Sequence, residues 1–301
     1  MAHISDAAPR WEKILWKRQP YPDNYVDASF LGQLRMNSAL LLTGNVYLPS
    51  FGTIVLMSLG IPQQFASVLL FVALFEHLRR GWLSSGMLIS ASTGATLMTA
   101  LVSSHGPGTR TLLSNVPGLA VLVLALYTLT PVLRTLTEAT ASDSIWALAT
   151  VLFGGHLALA DYAMERDSQS PLQGTVSLNM AMCASVVLAS RLCRDTDVFA
   201  LLLLALQQFA IYPLLRDRIY SGFGRMYTDT VIPAAAMPLT LLHICGAVYA
   251  MAPISTMVAY AVIPGVSVFI SVLCPLWMRL AQNWKREMRG PWDEAVIVPG
   301  M

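Results

Sequence analysis

Charge is what this chain has least of. Only 12% of its 301 residues are Asp, Glu, Lys or Arg, 55% are apolar, and the mean hydropathy is +0.58. That balance excludes an ordinary water-soluble domain. The net charge of +2, with no basic stripe interleaved with aromatic rings, gives no footing for nucleic-acid binding. The four cysteines, Cys183, Cys193, Cys245 and Cys274, lie along or beside apolar runs without C-x-x-C spacing. They read as packing thiols, and no metal or cofactor is expected. N-x-S/T acceptors, lipidation motifs and a terminal retrieval signal are missing. No short basic region precedes the first long apolar run near Ser38, so the expectation is that the first membrane helix itself directs insertion. Long loops are missing as well: the longest internal ones have about 12 to 14 residues, too few for a domain of their own. A soluble catalytic domain would have to belong to another chain, and no catalytic residue is assigned to this one.

What is present is a series of apolar runs near the length of about 20 residues that a bilayer core requires. They cover residues 40–60, 63–78, 82–102, 116–133, 144–162, 175–192, 198–215, 230–250 and 254–278. The first contains Asn45 and Pro49 and is parted from the short second only by Gly60-Ile61-Pro62, so the two together can make a single crossing. With one net crossing there and a cytosolic N-terminus, 14 Lys and Arg fall on the cytosolic side and 5 on the other, the asymmetry expected of membrane proteins. Nine crossings would strand the basic tail from Arg279 to Arg289 outside. The expected fold is therefore all-α, a polytopic membrane helix bundle of about eight transmembrane helices with both termini cytosolic. Residues 1–37 form a strap and interfacial helix, 38–280 the bundle and 281–301 a cytosolic tail.

The leader carries "WKRQPYPDNYVD". Pro20 and Pro22 hold Gln19 and Tyr21 toward extended conformations. Tyr21 and Tyr25, with Asp23, Asn24 and Asp27, give the segment the character of a docking peptide for a partner, the plain alternative being a charged leader. Asp27 can also cap a short helix bearing Phe30, Leu31 and Leu34 on one face.

Among residues that could carry chemistry, Asp195-Thr196-Asp197 resembles the metal-holding pair of sugar-nucleotide transferases. It lies in a short loop beside Arg191 and Arg194, where ion pairing and helix capping explain it. The loop after Glu76 and His77 begins with Arg79 and Arg80, against the acidic first outer loop of enzymes that use lipid-linked sugars. Ionisable or polar groups at membrane depth are candidates for function, and interhelical hydrogen bonding is their plain alternative. In the eight-span arrangement His156, Asp161 and Asn179 come to overlapping depths near the cytosolic surface. They are the candidates for contact with a lipid headgroup, or for stapling two helices together.

Seven blocks, "WKRQPYPDNYVD", "FLGQL", "PVLRTLTEA", "GHLALADYA", "SLNMA", "LASRL" and "RGPWDEA", occur in this order between residues 11 and 295. They resemble the C subunit of phosphatidylinositol N-acetylglucosaminyltransferase (PIG-C). The resemblance implies a multi-pass endoplasmic-reticulum subunit of the complex that moves N-acetylglucosamine from UDP-GlcNAc to phosphatidylinositol and so begins glycosylphosphatidylinositol (GPI) anchor synthesis. It also implies a partner subunit whose soluble glycosyltransferase domain holds the sugar nucleotide. Three roles remain open on the sequence: a non-catalytic scaffold of that complex, a polytopic membrane glycosyltransferase in its own right, and a lipid transporter or scramblase. The last is disfavoured by the lack of an internal repeat.

Overall fold

The computed structural model describes residues 50–104, 116–135, 140–160, 162, 171–213, 215–216 and 231–282, together with Trp16, Arg18 and Pro20. The chain divides into one unit of Ser50–Leu276 and another of Met1–Pro49 with Trp277–Met301. In the second unit Trp16, Arg18 and Pro20 are exposed. Gln19, Tyr21, Pro22, Asp23, Asn24, Tyr25 and Asp27 lie outside the described residues, as does Asp161.

Helix is the only regular structure among the described residues. Helices α1 (Phe51–Ser58) and α2 (Gly60–Arg79) follow one another with a single residue between them. The Ser50 side chain caps α1 by accepting from the Thr53 N–H at 3.3 Å. Pro62 has no N–H to offer the Ser58 carbonyl, and there the ladder breaks. The Leu59 N–H turns back to the Leu56 carbonyl at 3.3 Å, and the ladder resumes with the Gln63 N–H on the Leu59 carbonyl at 3.2 Å. Leu59 keeps helical angles, so the two pieces form one 29-residue rod, Phe51–Arg79. From Phe51 onward, then, the doubtful region at residues 40–78 is one continuous rod. Gly81, at φ 73°, closes the turn beyond α2, with the Gly81 N–H on the Leu78 carbonyl and the Trp82 N–H on that of His77.

There follow α3 (Ser85–Ser104), α4 (Val116–Thr135), α5 (Ser142–Leu159), α6 (Pro171–Ala189), α7 (Asp195–Ala205) and α8 (Val231–Met251). A π-helical turn, Leu206–Ile211, continues α7. The last pass alternates π turns at Val258–Val262 and Phe269–Leu273 with α9 (Ile263–Val268) and α10 (Cys274–Gln282). Each π turn ends two residues before a proline, Pro213, Pro264 or Pro275. A proline cannot donate to the carbonyl four residues back and its ring crowds that carbonyl, and a wider turn relieves both conflicts. Accordingly the N–H groups of Tyr212, Ile263 and Cys274 reach five residues back, to Gln207, Val258 and Phe269.

Contacts along the helices fix their directions. Phe71 meets Phe153 and Phe75 meets Trp146, so α2 and α5 are antiparallel. Gly155 faces Met180 while Arg191 reaches Thr140, so α5 and α6 are antiparallel. Ser67 meets Gln208 and Gln63 meets Tyr212, which sets α7 against α2, and Tyr127 with Phe199 and Arg134 with Asp195 set α4 against α7. Thr240 lies by Leu59 and His77 by Ala250, so α8 runs parallel to α2. From α4 to α8 the helices thus alternate in direction along the chain.

The core is built on α2. One of its faces sends Phe71 and Phe75 among Phe153, Leu188, Leu201 and Phe209, and another sets Ala66 and Ala73 against Ala247, Ala250 and Ala259. Small residues at such seams let backbones come close where lipid offers no hydrophobic drive. The outside is the apolar part: Val121, Leu124, Val132, Val151 and Tyr249 are more than half exposed, while Gln63, Gln64, His156, Ser177 and Gln208 are buried. Such inversion suits a hydrocarbon surround, and the chain is a helical membrane protein. By length and apolar composition Phe51–Arg79 and Val258–Ala281 are each sufficient to cross a bilayer; Ala120–Thr135, Gly174–Ala189 and Met237–Met251 are shorter apolar helices.

Candidate functional site

Polar side chains gather inside the bundle at the end where α2 begins. Adjacent residues on a helix point about 100° apart, so Gln63 and Gln64 serve different sides. The Gln64 amide donates from Nε2 to His156 Nε2 at 2.7 Å. His156 is thereby the neutral tautomer protonated at Nδ1, and that nitrogen donates to the Ser177 carbonyl at 3.0 Å. Ser177 Oγ lies 2.9 Å from the same nitrogen and donates back to the His156 carbonyl at 3.0 Å. The Phe209 ring meets the imidazole at 5.2 Å between centroids. Gly155 makes this reach possible: a Cβ there would sit 2.5 Å from Met180 Sδ, so α6 approaches α5 as only glycine permits with Met180 where it is.

On its other side Gln63 donates to the Tyr212 hydroxyl, whose ring packs on His243 at 4.7 Å. His243 Nδ1 donates to the carbonyl of Leu239, one turn back, at 2.8 Å. Gln63 Oε1 is buried and has no hydrogen-bond partner among the described residues. Gln208 donates to both the carbonyl and the hydroxyl of Ser67, at 2.6 and 2.7 Å. At the mouth of the cluster the Tyr162 ring covers Gly60, and its hydroxyl donates to the Leu157 carbonyl at 2.5 Å, closing the end of α5. Burial pushes the Tyr162 phenol up to about 12, with Arg216 pulling the other way, so this hydroxyl remains a donor at neutral pH.

Of the residues expected from the sequence, His156 lies inside this cluster. Asn179 is exposed on α6 and stands apart from it. Sequence reasoning missed Gln63, Gln64, Ser67, Ser177, Gln208 and Tyr212. Their visible signal was a pair of Gln-Gln dipeptides, 63–64 and 207–208, set in otherwise apolar runs, where an amide is expensive unless it is bonded.

The opposite end holds ion pairs. Glu76, almost fully buried, accepts two bonds from Arg79 at 2.7 Å each and one from Arg80 at 2.6 Å. Arg80 also lies 4.9 Å from the Trp82 ring centre. Asp195 pairs with Arg134 at 3.2 Å and, with Asp197, occupies the first turn of α7, where a helix favours negative charge. These carboxylates serve the fold. Among the described residues no three His, Cys, Asp or Glu side chains come together as a metal site.

The model of one protein family, described as phosphatidylinositol N-acetylglucosaminyltransferase, matches residues 11–293. The chain belongs to this phosphatidylinositol N-acetylglucosaminyltransferase family. It is 34% identical to the C subunit of that transferase from Bos taurus, over 96% of this chain and 93% of the relative. The human C subunit is 33% identical over the same shares. The GPI2 subunit of the transferase in Schizosaccharomyces pombe is 33% identical over 95% of this chain and 86% of the relative. No solved structure matches the chain. In this member of the family the match takes in every described helix, the buried polar cluster and the leader segment beyond Trp11.

Proposed function

We propose that this chain is a non-catalytic, multi-pass subunit of the endoplasmic-reticulum complex that transfers N-acetylglucosamine from UDP-GlcNAc to phosphatidylinositol, the first step of GPI-anchor biosynthesis. The observation that carries this reading is the unbroken match, over nearly its whole length, to proteins named as subunits of that transferase. A scaffold role is supported by the tying of Glu76 and Asp195 into ion pairs and by the purely helical, outwardly apolar build of the described residues. The sugar nucleotide is held by a partner subunit with a soluble glycosyltransferase domain, and residues 19–27 dock on a cytosolic part of a partner. The phosphatidylinositol headgroup waits at the end of the bundle that holds His156 and Asn179, with Asp161, outside the described residues, as a further candidate contact, since its hydroxyls need donors and acceptors at that depth.

Purification of the tagged chain from membranes should bring down a transferase partner. Replacing Tyr21 and Tyr25 together by alanine should release that partner, because aromatic anchors dominate interfaces of this kind, while the bundle stays inserted. An unchanged pull-down would reduce the strap to a leader, and sugar transfer by this chain alone would overturn the scaffold assignment. The alternating passes and the 14 to 5 charge split support eight spans with both termini cytosolic. Tags at Ala2 and after Met301 should therefore be equally accessible once the plasma membrane alone is permeabilised. Protection of the C-terminal tag would mean an odd number of crossings.

A further inference from the structure

An open cleft of about 640 Å³ runs between α3 and α4, each of which packs against α7 at its floor. Its lining is almost wholly hydrocarbon. Ile89, Leu97, Leu124 and Tyr127 form much of the walls, and Leu203 and Leu206 much of the floor. The polar groups within it look inward. Thr93 donates to the Ile89 carbonyl, and Thr96 donates to the Ser92 carbonyl at 2.8 Å and to Gln207 Oε1 at 2.7 Å. Along α7 the lining extends from Phe199 to Ile211, a run of about 18 Å at 1.5 Å per residue. Spread over that length, the volume gives a mean cross-section of about 35 Å². A hydrocarbon chain about 4–5 Å across at van der Waals contact needs about 20 Å², so the cleft admits an acyl chain.

Its position ties it to the polar cluster. The π turn Leu206–Ile211 presents Gln207 to the cleft and the next residue, Gln208, to Ser67 in the cluster. Ile211, at one end of the cleft, lies at the end of the bundle where α2 begins, the end assigned above to the cytosol. Arg216 follows five residues further along the chain.

We infer that this cleft seats an acyl chain of phosphatidylinositol from the cytosolic leaflet, so that the headgroup emerges beside the buried polar cluster. The inference rests on the proposed function for the identity of the lipid. It is tested on the intact complex in nanodiscs with phosphatidylinositol bearing a diazirine at mid-chain, and with phosphatidylcholine bearing the same probe. Illumination should label peptides of α3, α4 and α7, and unlabelled phosphatidylinositol, but not phosphatidylcholine, should compete. Ala120→Trp and Thr93→Phe fill the cleft from opposite walls at exposed positions. Each should lower the labelling at least fivefold and raise the KM for phosphatidylinositol, with the KM for UDP-GlcNAc and the set of co-purifying partners unchanged. Equal labelling by both lipids would mean bulk lipid and would overturn the proposal, as would loss of a partner on filling the cleft, which would make it a protein interface. Labelling is read without turnover. A labelled complex that transfers no sugar therefore refutes the functional reading alone, and an active complex labelled elsewhere refutes the cleft alone.

Discussion

Replacing His156 by alanine is expected to destabilise the folded chain by about 2–4 kcal/mol, since a buried polar group left without its partner costs about 1–3 kcal/mol and the vacated ring space adds to it. The Gln64 amide loses its acceptor, Ser177 loses the imidazole N–H, and Phe209 loses an edge contact. The measurement is thermal inactivation of the assembled complex, beside Asn179→Ala, which is exposed and should change stability by no more than about 0.5 kcal/mol. A double-mutant cycle with Gln64→Leu should return a coupling of about 0.5–3 kcal/mol. No loss of stability in His156→Ala would show that the network does not hold α2, α5 and α6 together. Transfer rates measured against phosphatidylinositol concentration then separate the two roles: a weakened lipid dependence in assembled His156→Ala complex supports headgroup contact, and its absence leaves the staple.

The second large effect is expected at Phe71, fully buried, whose ring lies 5.8 Å from that of Phe153 and 5.4 Å from that of Phe209. Truncation to alanine opens a cavity where α2, α5 and α7 meet. The expected loss is about 3 kcal/mol, the low end of the range for such truncations in water-soluble cores. Lipid is as apolar as the core, so the transfer component falls away while lost dispersion contacts remain. Phe71→Leu should retain more than half of that stability. If Phe71→Ala melts like the parent complex, the ring cluster is not the keystone of these three helices.

Much of the architecture could be read from residues alone. Gly60-Ile61-Pro62 marked the break between the first two apolar runs, which are one rod from Phe51 to Arg79, whereas the ion pair of Asp195 comes from Arg134 on α4, which its neighbouring arginines did not announce. The three π turns were not legible: each precedes a proline by two residues, but Pro131 and Pro238 stand inside α4 and α8 with no π turn before them. The inward-facing polar residues were harder to see. In water the apolar stripe of a helix declares which side is buried, but here lipid and core are both apolar, so the stripe is silent. Ser177 and Asn179 make the point. They lie two positions, about 200°, apart on α6, and the less polar serine is the one turned inward to His156 while the asparagine is exposed. Polarity ranked these two residues in the wrong order, and only the packing of α5 against α6 through Gly155 decided between them.

The parallel pairing of α2 with α8 sets a timetable for biogenesis. His77 and the Ala250 carbonyl that it meets are 173 residues apart in the chain. At a synthesis rate of 5–20 residues per second, roughly 10–35 s pass between the emergence of one and the other. Phe71 and Phe75 find Trp146, Phe153 and Phe209 well within that interval, but Ala66 and Ala73 wait for Ala247 and Ala259. During the wait the alanine seam of α2 faces bare lipid or a chaperone, and a nascent chain stalled before α8 would leave the ribosome with one half of its core closed and the other half open.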